Sequence, residues 1–464
     1  MKKRIGSCLG MFFLLLLFMS LVTACSKKET VEASSSQTLD IAIFEGGWGR
    51  SYWDDRVAKF TAAHPGLTIN MNVSPEIAQI LAPQLSAGEW PDFISVSQGS
   101  TDGGLIESMI KNRELLNLAS LFESDAPDRS GKKLKDIMYP GVLESSRVQP
   151  YKDGQLLFAP LATGPMGLVY NKNLFDAKGW KVPATWDEFF ALDEELKKPE
   201  NYVVIDGKPI KRSLYTYQGI YASYNEMLLW PGIASVAGTQ ALQDISSYKE
   251  GSFDNAAVKS VVEVLAKFSE KDYLMEGTVG LNHTQSQTDM MLGKALFIPN
   301  GTWMEAEMAD APREPGFEFA MTAVPTINAG QTRYAMASMD TVEIPTNAKN
   351  PELAQEFLKS IYSKESIISF AQNANGVIAA ADGAEIAKDY LTPGTYGMFS
   401  VFDDASFLVF GWDALPPDTK VDVARTVFED NIGLVFTGKM SPDEYIKRIE
   451  AAFAEVREEM ARAQ

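Results

Sequence analysis

Apolar and polar positions alternate early in the chain in a way that predicts strands and helices in turn. A strand-like apolar run is followed by a glycine-rich turn and then by a helical pattern, and this order repeats. The predicted strands are 39–44, 67–73 and 93–96. Two helices are predicted between them: the first carries Trp53, Val57 and Phe60 on one face, and the second spans 75–87. A β-α-β-α-β order of this kind predicts a parallel sheet covered by helices, and therefore an α/β fold.

Three later helices have clear starting signals. Thr185 and Glu188 are spaced as a capping box, in which each side chain satisfies a free backbone N–H of the other residue. Ser441 and Glu444 repeat that spacing with Pro442 at the first helical position. A third helix is predicted to begin at 350–352. These signals concern structure and say nothing about a ligand.

The N-terminus predicts export from the cytoplasm. Lys2, Lys3 and Arg4 precede an apolar run over 11–19, which is shorter than the roughly 20 apolar residues that span a bilayer. The small residues before Cys25 resemble the lipobox of bacterial lipoproteins, whose cysteine is lipidated; the alternative is an ordinary signal peptide that happens to end in cysteine. We expect a lipoprotein signal peptide at 1–24 and a flexible, serine-rich tether at 25–38 that joins the lipid on Cys25 to the folded body.

Composition excludes several kinds of chemistry. The chain has 42 basic and 61 acidic residues, and losing Lys2, Lys3 and Arg4 leaves 39 basic residues and a net charge of −22. A folded body with this much negative charge repels polyphosphate, and nucleic acid is therefore not an expected partner. Cys8 and Cys25 are the only cysteines, and the chain has two histidines. We therefore expect no disulfide in the body, no metal site and no cofactor.

Several motifs follow one another in the order found in a known family. They are Glu89–Phe93, with Pro-Asp before a buried strand; Gly167–Phe175 followed by Val182–Phe189; Gly293–Ile298 leading into Asn300–Trp303; Asn350–Lys359; and Gly376–Ala379. Together they resemble the bacterial extracellular solute-binding proteins of the sugar-binding type, the group that includes maltose-binding protein, over nearly the whole mature chain. Many relatives have proline where Ala379 stands, which leaves the conformation of that turn open.

The resemblance implies a two-lobed periplasmic-binding-protein fold of the type II kind, with a ligand cleft between the lobes that closes by a hinge. From the matched motifs, lobe one is expected to hold 39–162 and 338–395, and lobe two 163–337 and 396–464. The chain is expected to cross between the lobes near 162–165 and near 337–340.

A sugar site combines aromatic rings, which stack on apolar C–H faces, with planar polar groups that bind hydroxyls. In an open α/β sheet such groups lie on loops at the carboxyl ends of strands. By these criteria and by the resemblance, the candidate ligand-binding residues are Glu45, Trp48, Gln98, Tyr224, Trp230, Asn300, Trp303, Asp340, Asn375 and Trp412. For each of them a purely structural role is the alternative, as a core aromatic or a turn former.

The sequence thus predicts a lipid-anchored, extracytoplasmic binding component of a carbohydrate ABC importer. Such a protein is expected to act as a monomer and to deliver its sugar to permease subunits powered by a cytoplasmic ATPase. The stretch 297–308 most resembles binders of N-acetylglucosamine and its short β-linked oligomers. Two alternatives stay open: a polyamine-binding, peptide-binding or sensor protein of the same fold, and a secreted glycosidase. No pair of carboxylates with glycosidase spacing emerges from the sequence, so we expect no enzymatic activity.

Overall fold

The first strand of the body lies at the centre of a small parallel sheet. The computed structural model describes residues 37–96, 104–416 and 419–463. In it, β1 (Gln37–Phe44) pairs in parallel with β2 (Leu67–Ser74) on one side and with β3 (Phe93–Ser95) on the other. The predicted parallel arrangement is therefore confirmed. The first strand begins at Gln37, so the tether predicted to reach residue 38 is two residues too long.

The remaining strands build a mixed sheet and a small hairpin. They are β4 (Ala159–Asn171), β5 (Val203–Ile205), β6 (Lys208–Ile210), β7 (Ser213–Tyr215), β8 (Ala295–Gly301), β9 (Phe319–Thr322), β10 (Tyr334–Val342), β11 (Val377–Ile378) and β12 (Ser406–Leu408). The order of the mixed sheet is β12-β10-β4-β8-β7, and β9 and β11 also pair with β4. Strands β5 and β6 pair only with each other.

Helices cover both sheets. The α-helices are α1 (Ser51–Ala63), α2 (Ile77–Ser86), α3 (Leu105–Lys111), α4 (Ala119–Phe122), α5 (Lys172–Lys178), α6 (Trp186–Ala191), α7 (Asp193–Leu196), α8 (Glu226–Ala237), α9 (Thr239–Ser246), α10 (Ala256–Ala266), α11 (His283–Met291), α12 (Trp303–Glu307), α13 (Pro351–Ile361), α14 (Lys364–Ala374), α15 (Gly383–Ala387), α16 (Pro393–Met398), α17 (Val401–Asp404), α18 (Val423–Val427), α19 (Gly433–Phe436) and α20 (Pro442–Ala463). Short 3-10 turns lie at Leu134–Ile137, Pro199–Asn201, Ala222–Asn225, Lys267–Ser269, Thr278–Gly280 and Lys388–Tyr390, and a π-helical turn at Phe428–Ile432.

The sequence signals at helix starts have the expected geometry at two places. Glu188 N donates to Thr185 Oγ1 (3.3 Å), and Thr185 N donates to the Glu188 carboxylate (3.2 Å), which completes the capping box of α6. Ser441 Oγ accepts from Glu444 N (3.2 Å) at the start of α20. Asn350 precedes α13 as predicted, but its side chain donates to Thr38 O (2.7 Å) instead of capping the helix.

The two long strands β4 and β10 contain the segments where the chain is expected to cross between the lobes. Strand β4 pairs with β10 in antiparallel register, from Ala159 opposite Val342 to Met166 opposite Met336. The segments expected to cross between the lobes are thus neighbours in one sheet. A Cβ at position 164 would lie 2.2 Å from Thr302 Oγ1, so this close packing requires a glycine there.

The buried apolar residues fall into separate clusters on either side of these crossings. Two clusters draw their buried members from 39–162 and 339–391, and two others from 166–336 and 398–456. Whether these two groups move as lobes with the expected limits stays a prediction. Among the described residues, no helix is long and apolar enough to cross a membrane. The predicted signal peptide, Cys25 and Gln98 lie outside the described residues.

Candidate functional site

Trp48 lies at the carboxyl end of β1, where the glycine-rich turn redirects the chain. Its indole N–H donates a 2.6 Å hydrogen bond to Asp340 Oδ2. Its ring packs on Phe370, with centroids 5.5 Å apart, and lies so close to Gly376 that a Cβ there would come within 2.6 Å of the ring. The ring is half-buried, so part of it stays available to a ligand. Three neighbours thus fix the orientation of this tryptophan.

Asp340 occupies an irregular position in β10. The register between β10 and β4 shifts between Met339 and Thr341, as at a β-bulge, and such irregularities turn a side chain away from the regular ladder. Burial raises the pKa of Asp340, while the hydrogen bond from Trp48 and the nearby charge of Arg147 oppose that rise. Glu45 is half-buried beside this group, and its backbone N–H donates to Ser74 O (3.1 Å).

Trp303 is the first residue of α12, directly after the carboxyl end of β8. Its ring folds over Gly301, where a Cβ would lie 2.1 Å from the ring. Tyr224 lies beside Trp303 and forms a hydrogen bond with its side chain. Burial and the nearby charge of Glu307 raise the pKa of Tyr224, and the hydrogen bond with Trp303 opposes that rise. Both rings are half-buried. The end of β8 therefore carries a second aromatic group with a carboxylate next to it.

Further polar and aromatic side chains surround Trp303 and Tyr224. Tyr221 stacks on His283 with ring centroids 4.1 Å apart, and Tyr224 meets the same histidine edge-on at 5.1 Å. Gln287 Nε2 donates to Glu307 Oε2 (3.3 Å). The surface around Trp303 is therefore rich in rings and in hydrogen-bonding groups.

The turn that carries Trp48 and the helix that carries Trp303 lie next to each other, and the space between these two aromatic groups is called the gap below. A Cβ at position 47, beside Trp48, would lie 3.7 Å from Glu307 Oε1, on the same helix as Trp303. Rings and carboxylates from both sides thus converge, an arrangement that suits a neutral ligand with apolar faces and many hydroxyls. Among the described residues, no cluster of side chains could hold a metal ion.

Residues 46–367 match the family model of bacterial extracellular solute-binding proteins. The chain belongs to this family. Its match covers well over half of the 464 residues and includes Trp48, Trp303 and Asp340.

Named relatives of this solute-binding protein are themselves binding proteins. The chain is 27% identical over 349 residues to the diacetylchitobiose binding protein NgcE of Streptomyces coelicolor, covering 73% of this chain and 69% of the relative. It is 23% identical over 342 residues to the multiple sugar-binding protein of Streptococcus mutans, covering 73% and 74%. A solved chitin oligosaccharide binding protein superposes with a TM-score of 0.65 at 18% identity, over 91% of this chain and 99% of the other. That likeness shows the two-lobed α/β fold.

Not all predicted site residues of the solute-binding protein lie at the gap. Trp230 is 0% exposed, stacks on Phe410 at 4.1 Å and meets Trp412 edge-on at 5.6 Å. Trp412 in turn stacks on Tyr248 at 5.6 Å. Asn300 is also 0% exposed and accepts a hydrogen bond from Gly301 N (2.8 Å). Burial leaves Trp230 and Asn300 no surface for a ligand, so the geometry favours a packing role for them over the predicted contact.

Asn375 lies close to the gap without facing Trp48 directly. It ends α14 in the left-handed conformation (φ 49°), and its side chain bonds to Thr392 and Thr395. No sequence motif singled out Tyr221, His283, Gln287 or Glu307 as a candidate site residue. The three-residue spacing of Tyr221 and Tyr224 is the one local signal that points to part of this group.

Two cavities lie away from the gap. One of about 390 Å³ is bordered by 140–146, the start of α9 and 407–411, and another of about 440 Å³ lies between α2 and α3. Neither is lined by Trp48 or Trp303. The gap combines rings and carboxylates from both sides of the crossing strands, so we place the candidate site there.

Proposed function

We propose that this solute-binding protein captures a carbohydrate for an ABC importer and that it has no catalytic activity. The observation that carries the proposal is the pair of neighbouring groups, Trp48 with Asp340 and Trp303 with Tyr224, at the boundary of the two cores. Each group offers a ring for stacking and polar atoms for hydroxyls. The sugar-binding names of the relatives NgcE and the multiple sugar-binding protein support the same class of ligand.

The proposed ligand is an N-acetylglucosamine oligomer, in the first instance diacetylchitobiose. The stretch 297–308, which suggested this ligand in the sequence, contains Trp303 and Glu307 and forms one wall of the gap. The proposed mechanism is hinge closure about β4 and β10, which would enclose the sugar between Trp48 and Trp303. Closure removes water, so a hydroxyl left without a partner would cost ~1–3 kcal/mol. Permease subunits with a cytoplasmic ATPase would then receive the sugar from a monomeric protein.

A thermal-shift screen tests the ligand class. The chain beginning at Ser26 is heated with diacetylchitobiose, chitotetraose, maltose, raffinose or spermidine. A ligand at a hundredfold excess over Kd stabilises the native state by about 2.7 kcal/mol, so a bound sugar gives a clear shift in Tm. We expect a shift with the N-acetylglucosamine oligomers that Trp303→Ala strongly reduces, because truncating a central aromatic anchor costs about 2–4 kcal/mol of binding.

A matched change provides the control. Trp180 packs edge-on against Phe175 at 5.6 Å, beyond the end of β4 that points away from the gap. Trp180→Phe is expected to keep the full shift. A shift with spermidine alone would replace the carbohydrate by a polyamine, and no shift with any sugar would refute the proposal while leaving the family assignment in place.

We further propose that Cys25 carries lipid and anchors the protein outside the cytoplasm. The proposal rests on the basic start, the short apolar run and the small residues before Cys25. Cys25→Ser in the full chain is expected to move the protein from the detergent phase to the aqueous phase in Triton X-114 partitioning of expressing cells. Cys8→Ser is the matched control, because Cys8 lies within the predicted signal peptide. Equal partitioning of both variants into detergent would argue against the anchor.

A further inference from the structure

A relay of hydrogen bonds runs from Asn375 to Glu305. The Asn375 amide N–H₂ donates to Thr395 Oγ1 (2.9 Å) and Thr392 Oγ1 (3.3 Å), and its carbonyl accepts from Thr392 N (3.0 Å). The two hydroxyls donate to Glu305 Oε2, at 2.9 Å from Thr395 and 2.7 Å from Thr392. Each hydroxyl has one hydrogen, so receiving from the amide and giving to the carboxylate satisfies the direction of every bond.

The two ends of this relay adjoin the two tryptophans of the candidate site. Asn375 precedes Gly376, on which the Trp48 ring packs, and its neighbours Ala374 and Val377 belong to the core cluster of β1. Glu305 lies two residues after Trp303 on α12, and its neighbour Met304 belongs to a cluster on the other side of the crossing strands. The relay therefore joins the supports of both rings across the gap.

Gly394 marks how closely Glu305 approaches α16. A Cβ at position 394 would lie 2.6 Å from both carboxylate oxygens, closer than real contacts allow. Gly397, three residues on in the same helix, would place its Cβ in open space. The sequence thus contains a glycine where the carboxylate needs room, and a second glycine that serves as a natural comparison.

Helix α12 depends on such contacts for its orientation. It has five residues, too few to be stable alone, and Thr302 provides no side-chain cap. Hydrogen bonds to a carboxylate are about twice as strong as neutral ones, so the two threonine hydroxyls form the stronger part of its anchorage. A shift of Glu305 would also shift Trp303, because Trp303 lies two residues earlier on the same short helix.

We propose that Glu305 is a positioning residue that fixes α12 and thereby sets the affinity of the Trp303 side of the site. This inference rests on the proposed function and extends it, because it assigns affinity to a residue that need not touch the sugar. Thr392 and Thr395 act with Glu305 as one unit, and Asn375 orients their hydroxyls. Loss of any one link should weaken binding without removing a ring.

The pair Gly394→Ala and Gly397→Ala tests the proposal. Both changes add one methyl group to α16, but only the first displaces the Glu305 carboxylate. We expect Gly394→Ala to raise the Kd for diacetylchitobiose about tenfold by calorimetry, and Gly397→Ala to leave it within twofold. In the ligand-free protein, amide hydrogen exchange over 303–308 should be faster in the first variant only.

The exchange measurement separates this proposal from the proposed function. It requires no ligand, so faster exchange over 303–308 in Gly394→Ala alone supports the positioning of α12 even if no sugar binds. Equal exchange in the two glycine variants overturns the proposal. Equal Kd values in a protein that does bind diacetylchitobiose overturn it as well.

A double-mutant cycle distinguishes positioning from a general loss of stability. If Glu305 acts through Trp303, Glu305→Gln weakens binding about fivefold in the native background and has no further effect in Trp303→Ala. Additive losses would show that Glu305 acts by another route and would overturn the proposal. Asn375→Gly is a second variant that is expected to weaken binding in the same way. Glycine keeps the left-handed conformation of residue 375 and removes the amide that bonds to Thr392 and Thr395.

Discussion

The two sides of the candidate site hold their tryptophans in different ways. Trp48 bonds to Asp340 on β10, a nine-residue strand paired with both β4 and β12. Trp303 stands on the five-residue helix α12, whose orientation depends on side-chain contacts. One ring is held by a side chain of a sheet strand, and we propose that the other is positioned through the hydrogen bonds to Glu305.

This difference indicates where the site can adapt. Backbone ladders of a sheet tolerate little displacement, so Trp48 offers a fixed stacking surface. A short helix can shift when one contact changes, so the Trp303 side is the part that a substitution or a different sugar is expected to move. A single cleft can thus combine a fixed wall with an adjustable one.

The largest effect is expected from removing the fixed ring. Trp48→Ala should raise the Kd for diacetylchitobiose at least a hundredfold, because it deletes a central stacking surface and leaves Asp340 without its partner. Asp340→Asn is expected to have a smaller effect and to raise the Kd about fivefold. The asparagine keeps an oxygen that accepts from the Trp48 indole N–H, but the bond to a neutral amide is weaker than the bond to a carboxylate. Calorimetry on both variants, together with Trp180→Phe, measures the effects. A Trp48→Ala protein with unchanged Kd would remove this side from the site.

Local sequence signals predicted the parts of this arrangement that depend on local structure. The parallel order of β1, β2 and β3 followed from alternating apolar runs. The capping box at Thr185 has both of its expected bonds, and Ser441 has the bond from its hydroxyl to Glu444 N. Trp48 and Trp303 were placed at strand ends for the same reason, since each follows an apolar run directly.

Local sequence patterns do not predict contacts between segments that are far apart in the chain. Trp48 and Asp340 are 292 positions apart, and Glu305 and Thr392 are 87 apart, so no spacing rule links them. The bulge that sets Asp340 depends on pairing with β4 and leaves no mark in the composition of β10. Trp230 ends the apolar run from Met227, and every member of that run is buried, in line with the core role that the sequence left open. An uninterrupted apolar stretch in a helix favours core over ligand contact.

The smallest effect on affinity is expected at Glu226, a buried carboxyl on α8. Burial raises the pKa of Glu226 to about 7, and Arg147, which also acts on Asp340, opposes that rise. An acid whose folded pKa lies above its unfolded value of 4.5 binds more protons when folded, so it lowers stability as pH rises from about 4.5 through 7. Glu226→Gln should therefore be ~1–2 kcal/mol more stable than the native protein at pH 8 and no more stable at pH 4.5, with Kd within twofold at pH 7.

Urea unfolding at several pH values measures this difference. The matched control is Glu263→Gln, the same chemical change at an exposed position of α10. If the two variants follow the native protein with the same pH dependence, burial does not raise the pKa of Glu226. If only Glu226→Gln flattens the pH dependence, the buried carboxyl of Glu226 is the group that costs the folded protein stability as the pH rises.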